Sequence, residues 1–313
     1  HDTVRRQRQM CIRDSGYGAK FPRKYREALF VCDWSYGKMY AVHLSEKGST
    51  YEGRFEEFAS GAPFPLTDIV INPADGAMYC IVGGRRVQSG LYRITYRGDW
   101  DAAVEVEESA RLPGKDLREK RLALEALLFK GARRLSRIEL VDLWRSISSG
   151  DDRALRHAAR AVLEKHPVEM WKDLVLGEAN CNRAGLGLIA LARAGAPRSA
   201  GEVIDKVVGF DYAAIGAEQD RLNLIRALTL ALARGGKPGS EIRLRILGWL
   251  ENIYPVASVR ENRDLTTLLA ALESPSLVPK AMKLLETSTS QEEQITYAMN
   301  LSLIHISEPT RQS

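Results

Sequence analysis

The periodicity of the apolar residues changes once along this chain, and that change limits the folds open to it. Between Glu27 and Gly98, apolar residues come in short runs, rich in Val, Ile, Tyr and Phe, that end at Gly, Pro, Asp or Ser. Such runs are typical of β-strands joined by tight turns. From about Lys115 onward the apolar residues recur at the spacing of amphipathic α-helices. The sequence therefore predicts a mixed β + α chain, with an antiparallel β part followed by a helical part.

The predicted strands contain an internal sequence repeat, which is called the echo below. Ala28-Leu-Phe-Val-Cys-Asp followed by Lys38-Met-Tyr-Ala-Val-His is echoed by Ala77-Met-Tyr-Cys-Ile-Val followed by Leu91-Tyr-Arg-Ile-Thr-Tyr. A repeat of about fifty residues is in the range of four-stranded propeller blades. We therefore predict a partial antiparallel β-propeller of about one and a half blades in residues 16–105. The predicted strands are residues 28–33, 38–44, 51–58, 67–72, 77–82 and 90–96.

The helical part, residues 106–300, is predicted to be a HEAT-like α-α superhelix of short antiparallel helix pairs. The pairs begin near Asp152, Asn182, Glu218 and Glu261, a spacing close to that of HEAT repeats. An ordinary helical bundle remains the alternative. The predicted helices are residues 117–130, 138–147, 153–165, 168–176, 183–194, 202–208, 218–234, 241–252, 262–272, 278–285 and 291–300.

Local signals mark several ends of these helices. Asp151 and Asp152 precede one helix and are suited to cap it, and Pro167 stands where a helix begins. Gly195 and the pair Gly235-Gly236 fall where helices should end.

Both ends of the chain carry a pattern of a different kind. Met10–Ser15 can be written in DNA as ATG TGT ATA AGA GAC AG, and the reverse complement of that string reads Leu-Ser-Leu-Ile-His-Ile, the run that begins at Leu301. That DNA element resembles the transposase end used in sequencing libraries. We therefore expect residues 1–15 and 301–313 to be translated adapter and the rest to be an internal fragment of a larger protein.

Composition excludes some classes of function. Five basic and three acidic residues lie in the two end segments, so the net charge of +5 falls to +3 without them. That charge is too small to indicate a nucleic-acid-binding surface. The scattered Cys32, Cys80 and Cys181 have neither C-x-x-C spacing nor a nearby His, which indicates no metal site. No apolar run is long enough to span a membrane.

The residues resemble a known family at several places. The run Leu29-Phe-Val-Cys-Asp-Trp-Ser-Tyr-Gly-Lys and the run Gly83-Gly-Arg-Arg-Val-Gln-Ser-Gly-Leu-Tyr look like the last propeller blades of very large multidomain dehydrogenases of the planctomycete and verrucomicrobial type. Asp152-Arg-Ala-Leu-Arg-His-Ala-Ala and Gln291-Glu-Glu-Gln-Ile-Thr-Tyr-Ala are similar to the helical region of the same family.

The resemblance implies several properties of a parent protein. Its propeller would be similar to those of quinoprotein glucose and sorbosone dehydrogenases, and a c-type haem domain would follow the HEAT-like region. The parent would hold a PQQ-type quinone and haem c, oxidise a sugar or alcohol, and be periplasmic, in the cell envelope or secreted. This chain contains no C-x-x-C-H motif, so no haem or other cofactor is assigned to the fragment itself. Its partners would be the upstream blades, the downstream haem domain and a protein bound to the helices, with no nucleic acid and no membrane span.

Candidate cofactor-binding residues lie in two connections between strands. Asp33 and Trp34 are in a predicted turn, where they could face the propeller mouth or simply form the turn and pack between blades. Arg85 and Arg86 could bind a carboxylate, a phosphate or a quinone, or could belong to a solvated loop. No residue is assigned a catalytic role.

The remaining polar candidates are predicted to be structural. Arg93 should form an inter-strand ion pair, and His43, His157 and His166 do not approach ligand spacing. Two functions follow as hypotheses: the closing blades and helical spacer of an exported oxidoreductase, inactive alone, or a non-catalytic propeller and HEAT scaffold for protein–protein interaction.

Overall fold

A computed structural model describes most of the chain in two compact units. Contacts between Cα atoms divide it into His1–Lys120 and Arg121–Ser313. The predicted domain boundary between residues 105 and 106 lies outside the described part. The described residues are 13–84, 87–98, 114–148, 152–195 and 197–307.

The first unit contains two antiparallel sheets. The first sheet has the strand order β1-β2-β3-β4, the second sheet has the order β5-β6-β7, and neither closes into a barrel within the described residues. A short helix, α1 (Arg23–Arg26), separates β1 from β2. The strands are β1 (Arg13–Ser15), β2 (Leu29–Asp33), β3 (Lys38–Lys47), β4 (Thr50–Ser60), β5 (Leu66–Ile71), β6 (Met78–Gly84) and β7 (Val87–Ile94).

The predicted strands are confirmed, with ends shifted by a few residues. The sequence prediction omits β1, because residues 1–15 are assigned there to adapter DNA. Arg13 and Ser15 nevertheless pair with β2 in the structure. The chain changes sheet between β4 and β5, whereas the second copy of the echo begins later, at Ala77 just before β6.

One apolar core lies between the two sheets. Phe30 and Met39 of the first sheet and Met78 and Cys80 of the second are all fully buried in it. Phe58 packs edge-on against Phe30, with ring centroids 4.9 Å apart. The faces that meet in this core are called the inner faces of the two sheets, and the opposite faces are called the outer faces.

The second unit is helical, which confirms the mixed β + α class. Single 3-10 turns occur at Val168–Met170 and Tyr212–Ala214. The α-helices are α2 (Lys115–Ala126), α3 (Arg137–Ser148), α4 (Arg153–Glu164), α5 (Lys172–Leu176), α6 (Cys181–Ala194), α7 (Ala200–Val208), α8 (Glu218–Gly235), α9 (Ser240–Ile253), α10 (Val259–Ala271), α11 (Leu277–Thr287) and α12 (Gln291–Ser307).

Several helix ends follow the predicted local signals. The side chain of Asp152 accepts a hydrogen bond from Leu155 N and caps α4, whereas Asp151 lies outside the described residues. Gly195 follows α6, and Gly236 ends α8 with φ of +86°, a conformation that favours glycine. The predicted limit of native sequence at residue 300 falls inside α12.

The helices repeat in two layers. In one layer α4, α6, α8, α10 and α12 contact one another in that order, and α5, α7, α9 and α11 pack against them. A continuous apolar core runs through the repeats from Leu135 to Ala281. The helices α4, α6, α8 and α10 begin at or near the predicted pair starts. The prediction of helical repeats is therefore confirmed.

Polar side chains tie neighbouring helices of the first layer together near their first turns. Arg156 Nη2 of α4 donates to Asn182 Oδ1 of α6 over 2.6 Å, and Asn182 Nδ2 donates to Asp220 Oδ1 of α8 over 2.7 Å. The two hydrogen bonds share Asn182 and so link three successive helices of the layer. This ladder fixes the register of one repeat on the next.

Candidate functional site

The predicted turn at Asp33 is formed by that residue's own carboxylate. Asp33 Oδ1 accepts hydrogen bonds from Ser35 N at 3.0 Å and from Tyr36 N at 3.1 Å. Gly37 completes the turn with φ of +63°. These are the contacts of an Asx turn, which holds the end of β2 against the start of β3. One oxygen of the Asp33 carboxylate, Oδ1, is therefore engaged by the backbone.

Trp34 joins the two sheets. Its indole Nε1 donates to Gly83 O over 3.1 Å, and its ring lies over Gly84, where an added Cβ would stand 3.1 Å from Cζ2. Glycine at that position lets the ring approach the backbone of β6. The indole is still 39% exposed, so one edge of it faces solvent.

The structure thus brings Asp33 and Trp34 beside the beginning of the β6–β7 connection. Arg85 and Arg86, the next two residues of that connection, lie outside the described residues. Their role in binding a cofactor stays a prediction. The observed contacts of Asp33 and Trp34 are those of turn formation and sheet packing.

Arg93 forms the predicted ion pair. Its Nη2 lies 3.1 Å from Asp75 Oδ2, and its Nε donates to the hydroxyl of Tyr79 over 3.1 Å. Tyr79 in turn donates to Asp75 over 2.9 Å. Hydrogen bonds from Ala77 N, Tyr79 and Arg93 lower the pKa of Asp75. This cluster ties β7 to the β5–β6 turn.

His43, His157 and His166 make structural contacts. His166 is buried, accepts a hydrogen bond from Leu135 N at Nε2 and contacts Val162 O through Nδ1. His43 contacts Glu56, and His157 contacts a neighbouring guanidinium on α4.

Cys80 and Cys181 are free thiols. Desolvation by burial raises the pKa of Cys80, and burial together with Asp220 raises the pKa of Cys181 to about 11. Thiols with raised pKa values are poor nucleophiles. Across the described ranges, no group of three or more His, Cys, Asp or Glu side chains is placed to hold a metal ion.

A buried ion pair in the helical unit is not predicted by the sequence. Glu261 at the start of α10 is fully buried and receives Arg221 Nη2 at 2.8 Å and Arg221 Nε at 3.0 Å. The hydroxyl of Tyr212 donates a hydrogen bond to the same carboxylate. Burial acts to raise the pKa of Glu261, but the bonds from Arg221 and Tyr212 outweigh it, and the net shift is downward. The pattern Ser258-x-x-Glu261 has the form of a capping box. It is the signal by which the sequence could have singled out Glu261.

An open groove lies between α8 and α10. It has a volume of about 370 Å³ and is lined by Arg226, Arg260, Arg263 and Asp264 together with polar residues of α8. Arg260 contacts Glu218 at 3.5 Å, and Arg263 contacts a glutamate of α12 at 2.9 Å. Desolvation raises the pKa of Asp264, and the attraction of the three guanidinium groups opposes that rise.

Comparison with family models, curated proteins and solved structures found no match to this chain. In the part of the chain that the structure describes, no helix combines the length and the apolar character that crossing a bilayer requires.

Proposed function

We propose that this chain supplies closing propeller blades and a HEAT-like spacer to an exported multidomain oxidoreductase. In that protein a quinone-dependent propeller would oxidise a sugar or alcohol and pass electrons to a c-type haem domain outside this chain. The helical repeats would hold the two apart and present a docking surface. The chain alone would be inactive, because the assigned cofactors belong to the rest of the parent.

One observation supports this proposal most directly. The strands form two stacked antiparallel sheets, and the two copies of the sequence echo lie in different sheets. Consecutive stacked sheets with a repeat of about fifty residues are what successive propeller blades require. The redox part of the proposal rests on the family resemblance. Trp34 supports it only because it lies beside the start of the β6–β7 connection, which contains Arg85 and Arg86.

The test begins with the uninterrupted reading frame around this sequence, obtained by long-read sequencing of the source DNA. We expect further blades and a signal peptide upstream and a C-x-x-C-H motif downstream. The whole protein, loaded with PQQ, should then reduce an artificial dye with a sugar as electron donor. The joint substitution Arg85→Ala and Arg86→Ala should weaken PQQ binding about tenfold or more if these residues hold the quinone. A frame without a haem motif, together with no dye reduction, would refute the oxidoreductase.

A second candidate function, a non-catalytic scaffold, is favoured by the groove between α8 and α10. Three arginines line it and only Asp264 opposes them within the lining, so an acidic peptide segment would match its charge. A poly-glutamate peptide should bind the chain by calorimetry, and Arg226→Glu should weaken that binding about tenfold or more. Arg245→Glu, at an exposed arginine outside the groove, is the matched control. Equal loss in both variants would mean general charge attraction and no docking groove.

A further inference from the structure

Two of the arginines that line the groove between α8 and α10 are already paired within the chain. Arg260 lies 3.5 Å from Glu218 of α8, and Arg263 lies 2.9 Å from Glu292 of α12. Each of these two guanidinium groups therefore has a carboxylate beside it that offsets its charge. The charge that the groove offers to a ligand is set by the other charged residues of its lining.

Those other residues are Arg226 of α8 and Asp264 of α10. Both are exposed, and neither makes a hydrogen bond or an ion pair with another residue that the structure describes. Of the guanidinium groups that oppose the raised pKa of Asp264, that of Arg226 has the largest effect. The groove thus presents one unpaired cation and one unpaired anion, on the two helices that form it.

The uncharged part of the lining suits a peptide. Leu222 contributes an apolar surface, and Gln219 and Asn223 contribute amides. Gln219 Nε2 donates to Asn223 Oδ1 over 3.2 Å, which leaves Gln219 Oε1 as an acceptor and Asn223 Nδ2 as a donor. A peptide backbone offers the complementary groups. A free small molecule fits less well, because an open groove does not bury most of its surface.

We propose that this groove binds a peptide segment that carries one acidic and one basic side chain close together, with the acid at Arg226 and the base at Asp264. The inference rests on the scaffold, the second candidate function above, and replaces its acidic partner by one of mixed charge. Asp264 is the specificity-determining residue, because its carboxylate repels the second charge of a polyanion and attracts the base of a mixed segment.

The test compares an alternating Glu-Lys peptide with a poly-glutamate peptide, each of about ten residues, so that only the charge pattern differs. Fluorescence anisotropy follows binding to the full chain at up to about 1 mM, which reaches weak affinities. Salt at about 0.15 M screens general charge attraction. We expect the alternating peptide to bind the unchanged chain about threefold to fivefold more tightly than poly-glutamate, the effect of one exposed ion pair.

Three variants separate the roles of the two unpaired residues. Asp264→Asn should remove the preference, so that poly-glutamate binds at least as tightly as the alternating peptide. Asp205→Asn, at an exposed carboxylate of α7 that pairs with Arg245, is the matched control and should keep the preference. Arg226→Gln should weaken the binding of both peptides, because both use that guanidinium. Circular dichroism checks that every variant is folded.

Two results would overturn the mixed-charge partner and leave the groove as a docking site for acidic segments. One is a preference that is unchanged in Asp264→Asn, and the other is tighter binding of poly-glutamate to the unchanged chain. If neither peptide binds at about 1 mM, the inference falls together with the scaffold. The oxidoreductase proposal stands in every case, because the reading frame and the dye assay decide it.

Discussion

Replacing Glu261 by alanine should be among the most destabilising single changes in the helical unit. The carboxylate of Glu261 is fully buried and accepts from both Nε and Nη2 of Arg221 and from the hydroxyl of Tyr212. Removing it leaves a guanidinium and a phenol facing a space that water fills poorly. The guanidinium keeps two bonds from Nη1, to Ile215 O at 2.6 Å and to Gly216 O at 3.2 Å.

The expected loss of unfolding free energy depends on how much of the ion pair between Glu261 and Arg221 is shielded from water. Removing one partner of a fully buried ion pair costs about 3–5 kcal/mol. The Arg221 side chain is 21% exposed and can turn partly toward solvent, so the lower end applies. We expect Glu261→Ala to lower the free energy of unfolding by about 3 kcal/mol and Arg221→Ala to lower it by a similar amount. The double variant should cost less than the sum, with a coupling of about 1–3 kcal/mol.

Urea unfolding followed by circular dichroism at 222 nm measures these changes, because that signal comes mainly from the helical unit. The matched control is Asp205→Ala, which breaks the exposed pair between Asp205 of α7 and Arg245 of α9 at 2.9 Å. Exposed pairs contribute little, so the control should change the free energy of unfolding by no more than about 0.5 kcal/mol. If Glu261→Ala and Asp205→Ala cost the same, burial of the pair does not set its strength and the reasoning fails.

The same carboxylate predicts a pH dependence. The pKa of Glu261 is lower in the folded chain than its usual value, so its contribution is fully present above the unfolded pKa. That contribution is lost as the pH falls from about 4.5 through the folded pKa. Between about pH 5 and pH 3 the unchanged chain should therefore lose stability more steeply than Glu261→Gln does. Parallel slopes would contradict the downward shift.

Three further predictions concern single contacts. The pKa of Glu139 is lowered to about 2, first by Arg133, so Arg133→Ala should raise it toward 4.5 in an NMR titration, and an unchanged value would exclude this cause. His166→Ala leaves buried backbone groups without partners and should cost about 2–3 kcal/mol in the same urea assay, whereas a cost below about 0.5 would show that water replaces the ring. Gly187→Val would place its Cβ only 2.4 Å from Cη2 of Trp144 and should cost about 1–3 kcal/mol, and a neutral result would mean that the indole moves freely.

The sequence predicted the elements of this fold well because their signals are local. The alternation around Phe30 and the cap at Asp152 depend only on residues within one or two turns of chain, and both are found. The predicted helix at residues 168–176 is a 3-10 turn followed by α5, since Trp171 between them has φ of −146°, outside the helical region. Such interruptions depend on the packing of the buried indole and are not visible in periodicity.

The site residues were harder to predict because their partners are distant in sequence. Glu261 bonds to a residue forty positions earlier, a pairing that exists only once α8 and α10 lie side by side. The indole of Trp34 likewise reaches Gly83 across two sheets. A turn-forming Asp and a Trp that packs between sheets were among the predicted alternatives, but the distant backbone partner of that Trp was not predicted.

The structure shows which face of each sheet is covered, and the sequence echo does not. Alternation tells which residues of a strand share a face, but it does not tell which face is covered. Ile81 and Cys32 occupy equivalent places, yet one is 47% exposed and the other 1%. The echo does not settle it either, because it aligns the buried Cys32 with the exposed Ile81 but aligns the buried Met39 with Tyr92, the strand partner of the buried Cys80.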